Sequence, residues 1–116
     1  MSAKRVGVLI RQHPLREPKA AEALRMAVGL TLRVPDVSVF FVGDAVRTFS
    51  NAVVCEWERS AIGRHLRALI ELGQTIVFEK ESLDDLDDFE QPIPVKCWPR
   101  ARIARFLAEY EVTIVI

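Results

Sequence analysis

Apolar positions follow two rhythms along this chain. Val6 to Ile10 is a continuous apolar run with β-branched residues, closed by the polar Arg11-Gln12-His13-Pro14, which is the pattern of a strand buried on both faces. Pro18 suits a first helical turn. Ala20, Ala21, Ala23, Leu24, Ala27, Val28 and Leu30 then recur near i, i+3, i+4 until Val34-Pro35 ends the run, which predicts a helix. Val37 to Val42 predicts a second buried strand, broken by Gly43-Asp44, a permissive backbone position followed by a turn-former. Thr48 to Cys55 carries no clear pattern. Ile62, Leu66, Leu69 and Ile70 form a stripe that Gly73 terminates, so a second helix is expected over much of 56–72. Thr75 to Phe78 reads as a short strand, Ile93 to Cys97 as a fourth and Val112 to Ile116 as a last one. Between the final two, Pro99 to Tyr110 presents Ile103, Phe106, Leu107 and Tyr110 on one helical face.

The predicted order is β-α-β-α-β-β-α-β. Strands apolar throughout and alternating with amphipathic helices imply an α/β fold, a three-layer α/β/α sandwich around a mainly parallel five-stranded sheet. A length of 116 residues with no linker or repeat makes residues 1–116 one domain. The last strand carries no polar residue after Thr113, so it is expected inside the sheet or under a partner.

Half of the residues are apolar and 28% are charged, which excludes disordered, collagen-like and coiled-coil classes. Sixteen Lys and Arg balance sixteen Asp and Glu, so no overall field recruits nucleic acid or anionic lipid. No apolar run approaches the roughly 20 residues of a spanning helix. The basic Met1-Ser2-Ala3-Lys4-Arg5 precedes too short an apolar stretch for a secretory signal, and a cytoplasmic location is expected. The charge is uneven all the same: Glu79 to Glu90 holds seven acids against Lys80, a local −6 that leaves the rest at +6. That run lacks the glycine and terminal glutamate of a calcium loop and reads as solvated.

Function in open α/β sheets collects at the carboxyl ends of the strands. His13, Gly43-Asp44, the acidic run and Cys97 all fall there. Cys97 is the chemical candidate, because a thiol beside a helix N-terminus, with Lys96 and Arg100 adjacent in sequence, is expected to have a lowered pKa suited to sulfur transfer or redox sensing. Lys96 alternates away from it along the strand. His13 is a candidate to bind a ligand or support the Cys97 thiolate, against a plain solvated loop residue. Asp44 is a candidate binding residue or only a turn-former. Cys55, beside Val53, Val54 and Trp57, reads as core, and His65 as solvent-facing. Two cysteines without CxxC spacing and two histidines argue against a structural zinc site, and no GxGxxG, Walker A or GxSxG pattern supports nucleotide hydrolysis or serine-hydrolase chemistry.

Three stretches together resemble the DsrE/DsrF-like family of small sulfur-relay proteins: Val6 to Pro14; the helix Ala21-Glu22-Ala23-Leu24-Arg25-Met26-Ala27 with the strand end Val39 to Val46; and Val95-Lys96-Cys97 leading into Ala101-Arg102. Trp98-Pro99 stands where the family often has small residues, and the Arg-Gly pair common a few residues later is absent. The resemblance implies that Cys97 carries sulfur as a persulfide between donor and acceptor proteins, with Arg100 or the helix N-terminus stabilising charge; sulfur relay of this kind requires no cofactor. It also implies a homotrimer, a hexamer or assembly with related subunits. A non-catalytic subunit of the same fold, or a small-ligand module using His13, Gly43 and Asp44, is the alternative.

Overall fold

The computed structural model describes residues 5–13, 16, 18–49, 61–84, 95–110 and 112–116. Along the chain these form β1 (Arg5–Ile10), α1 (Pro18–Leu30), β2 (Asp36–Phe41), a 3-10 helix (Gly43–Phe49), α2 (Ala61–Glu71), β3 (Thr75–Glu79), α3 (Lys80–Leu83), β4 (Lys96–Trp98), α4 (Arg100–Ala108) and β5 (Val112–Val115). Cys55, Ile93 and the acidic residues 85–90 lie outside the described residues.

All five strands join one parallel sheet in the order β4-β3-β2-β1-β5. Alternation along the strands feeds two separate apolar layers. Val8, Ile10, Val39, Phe41, Ile76 and Phe78 pack with Leu24 and Ala27 of α1 and Leu66 and Leu69 of α2. On the opposite face Phe40, Val77 and Trp98 pack with Ile103 of α4, with Leu9, Phe106, Leu107 and Tyr110 around them. The fold is therefore the expected three-layer α/β/α. Among the described residues, α1 and α2 share one face and α4 lies over the other.

The close approach of α4 depends on Gly7. A Cβ there would stand 2.9 Å from Leu107 Cδ2 and 3.2 Å from Tyr110 Cδ2, inside van der Waals contact. A glycine in this strand costs some backbone entropy, and here it lets a helix seat directly on β1.

Two points differ from the simplest expectation. Of the two places expected for β5, the interior of the sheet is not the one observed: among the described residues it pairs with β1 alone, from Val6↔Val112 to Leu9↔Val115, and Val112 and Val115 are each 49% exposed. Apolar content signals burial against a neighbour but does not say on how many sides. β4 also runs past Cys97 to Trp98, and Pro99 becomes the N-cap of α4. Cys97 thus lies within a strand and not at its end. The 3-10 helix and the four-residue α3 fall in stretches that periodicity left unassigned. Among the described residues, no helix is long and apolar enough to cross a membrane.

Candidate functional site

At the carboxyl ends of β2, β3 and β4 the chain gathers around Glu79, the last residue of β3, which is only 4% exposed. Its Oε1 accepts the Gly43 N–H at 3.2 Å and the Ser82 hydroxyl, and its Oε2 accepts the Arg100 Nε–H at 2.7 Å. One carboxylate therefore ties the turn after β2, the start of α3 and the start of α4 together. Gly43 has φ +56°, a conformation that costs a side-chain-bearing residue and aims its N–H at Glu79 and at Ser82 Oγ, 3.1 Å away. Burial pushes the Glu79 carboxyl up. Hydrogen bonds from Arg100, Ser82 and Gly43, with the Arg100 charge, outweigh that and hold it below the usual carboxylate range.

Cys97 sits beside this cluster on the edge strand, with an exposed side chain. Alternation separates it from its neighbours: Lys96 and Trp98 point to the α4 face, where Lys96 Nζ lies 5.9 Å from the Trp98 ring. Val95 packs into the layer under α1 and α2, and Cys97 shares its side. The thiol there feels α3. Desolvation raises its pKa most; the Lys80 ammonium pulls it down, and the Asp84 and Glu81 carboxylates push it up.

The expected lowering is thus reversed, by desolvation first and then by the Asp84 and Glu81 charges, and the groups expected to lower it are engaged elsewhere. The first backbone N–H of α4, that of Arg100, is already donated to Glu81 Oε1 at 2.8 Å, and the Arg100 guanidinium is held by Glu79. Lys80, the one cation that lowers the thiol, is itself paired with Asp84 at 3.2 Å.

Of the other predicted residues, Gly43 and Arg100 meet through Glu79. Asp44 turns away and forms a surface pair with Arg47 at 2.8 Å. His13 is buried, 7% exposed, and its carbonyl accepts the Arg16 N–H at 2.9 Å. It follows β1, which β2 and β3 separate from β4, about 14 Å across the sheet at the usual strand spacing. His65 is half-buried on α2, and desolvation with the Arg64 charge lowers its pKa.

Glu79 and Ser82 were missed by pattern reading because both merge into the acidic run. A usable signal was present: an acid directly ending the wholly apolar Ile76-Val77-Phe78 is placed for burial and then requires a cation. Among the described residues, no group of three or more His, Cys, Asp and Glu gathers to hold a metal.

Neither protein-family models nor curated proteins match this chain. Among solved structures, the ychN protein from E. coli is similar at a TM-score of 0.75 and 15% identity, over 97% of this chain and 99% of that one. A conserved protein of unknown function, BT1422 from Bacteroides thetaiotaomicron, is similar at a TM-score of 0.70 and 9% identity, over 96% and 94%. At such identities the likeness is one of fold.

Proposed function

We propose that the chain is a small DsrE-like protein that carries sulfane sulfur on Cys97. The observation that carries this reading is an exposed thiol on an edge strand at the carboxyl end of a parallel sheet, next to the Lys80 ammonium. In loading, the Cys97 thiolate attacks the terminal sulfur of a donor persulfide. A new S–S bond forms at Cys97, the donor's S–S bond breaks, and the donor thiolate leaves. In unloading, an acceptor thiolate attacks that terminal sulfur and Cys97 leaves as thiolate. No cofactor takes part.

The raised pKa sets the character of the carrier. Little thiolate is present near neutrality, the thiolate that does form is a strong nucleophile, and Cys97 is a poor leaving group. Cysteine desulfurase with cysteine should add one sulfur to the intact mass, absent in Cys97→Ser and retained in Cys55→Ser. No added sulfur in the wild type, or retention in Cys97→Ser, sinks the proposal.

The second reading, a non-catalytic subunit, is favoured by the same raised pKa and by the occupied α4 N-terminus. Exposed Val112 and Val115 on the β5 edge suit assembly into a homotrimer or hexamer, or with related subunits. A stable oligomer by sedimentation, with no sulfur uptake, selects this reading.

A further inference from the structure

On the α4 face, at the amino end of β4, lies a cleft of about 170 Å³ that the sulfur chemistry does not use. Among the described residues, α4 is the one helix on this side of the sheet. Trp98 and Phe106 wall it with ring centroids 4.5 Å apart, and Tyr110 stands opposite. The Arg102 guanidinium lies 4.1 Å from the Trp98 centroid and 5.7 Å from that of Phe106. Lys96 approaches the same Trp98 ring. Both cations are exposed, and neither forms an ion pair among the described residues.

The far wall is already satisfied. Tyr110 donates its hydroxyl to Ser38 Oγ at 2.6 Å, Ser38 donates to Asp36 Oδ1 at 3.4 Å, and Arg5 neutralises Asp36 at 3.0 Å. Arg5 also lies over the Tyr110 ring, 4.7 Å from its centroid. Among the described residues the lining thus holds three cations against one carboxylate, with Glu109 also 3.9 Å from Arg5 outside it. Guanidinium stacking uses the face of Arg102 and leaves its N–H edge for a planar anion. A cavity of about 150 Å³ accommodates one benzene ring, so the space suits a single ring and its acid group.

The geometry points to a binding site for a small aromatic carboxylate, its carboxylate between Lys96 and Arg102 and its ring beside the half-buried Phe106, since Arg102 already covers the Trp98 face. Cys97 faces the opposite side of β4, so the site stands or falls independently of sulfur relay. Calorimetric titration of the full chain with benzoate tests it. Saturable one-site binding is expected, about ten-fold weaker in the Lys96→Gln/Arg102→Gln double variant and unchanged in Arg25→Gln, an exposed cation on the other face. Benzamide, of the same shape without charge, should bind about ten-fold more weakly than benzoate. No saturable binding in the millimolar range, equal affinity for benzamide, indifference to the double substitution, or sulfate binding as tightly as benzoate each overturns the assignment. Both substituted residues are exposed, so loss of fold does not cloud the result; circular dichroism checks it.

Discussion

Glu79 and Arg100, 21 positions apart, form a one-sided ion pair: the carboxylate side chain is 6% exposed and the guanidinium-bearing side chain 67%. The acid is structural ballast for three segments, and its cation reaches in from solvent. Glu79→Gln removes the charge while keeping the shape, and is expected to cost about 1–3 kcal/mol at neutral pH by urea unfolding. The Glu79 pKa is depressed in the folded chain, so its contribution is present above the unfolded value of about 4.3. It is lost as pH falls through the folded value. The gap between wild type and Glu79→Gln should therefore close in acid, and a pH-independent gap would contradict the assigned charge.

Cys97 reactivity should follow the carboxylates of α3. Alkylation by iodoacetamide is expected to titrate above the free-thiol value of about 8.5, because burial and the Asp84 and Glu81 charges outweigh Lys80. Glu81→Gln preserves an acceptor for the Arg100 N–H and removes one negative charge, so it should lower the midpoint and speed alkylation at mildly alkaline pH. Lys80→Met should shift it the other way. A wild-type midpoint below that of free cysteine would reverse the reading.

Gly7 and Leu107 should show energetic coupling. Gly7→Val drives branched carbon into the space held by Leu107 Cδ2, with an expected loss of about 1–3 kcal/mol. Leu107→Ala opens that space, so the double variant should lose less than the two single losses combined. Strict additivity in a thermal or urea double-mutant cycle would mean that α4 does not seat on β1 as described.

At Gly43 the test is backbone conformation. With φ at +56° and its N–H shared by Glu79 and Ser82, Gly43→Ala should destabilise the fold by about 1–2 kcal/mol. Gly43→Asn should lose less, as asparagine tolerates this region better. Equal losses would point to crowding, and open space around this position, with Arg11 O at 4.0 Å from a built Cβ, argues against that.

Strand identity was legible because Val6 to Ile10 and Val37 to Val42 are apolar on both faces, a demand that only a covered parallel sheet meets. What periodicity does not encode is lateral order: nothing local to Val112 distinguishes an inner place from the edge beside β1. Cys97 is legible by position, but its pKa is not, because the desolvation that raises it depends on the folded surroundings and the α4 N-terminus expected to lower it is already claimed by Glu81, 19 residues earlier. Long-range polar pairs such as Tyr110 with Ser38 or Arg100 with Glu79 join residues whose neighbours in sequence give no hint of each other. That is why apolar layers could be read ahead and the hydrogen-bonded cluster could not.

Because β1 lies between β2 and β5, one flank of β1 is closed by a strand made much later in the chain. Val6 meets Val112 across the ladder, the kind of distant partnership that slows folding. During translation, the amides of β1 that face β5 stay open until β5 has left the ribosome, so a nascent chain is vulnerable to mispairing at that seam.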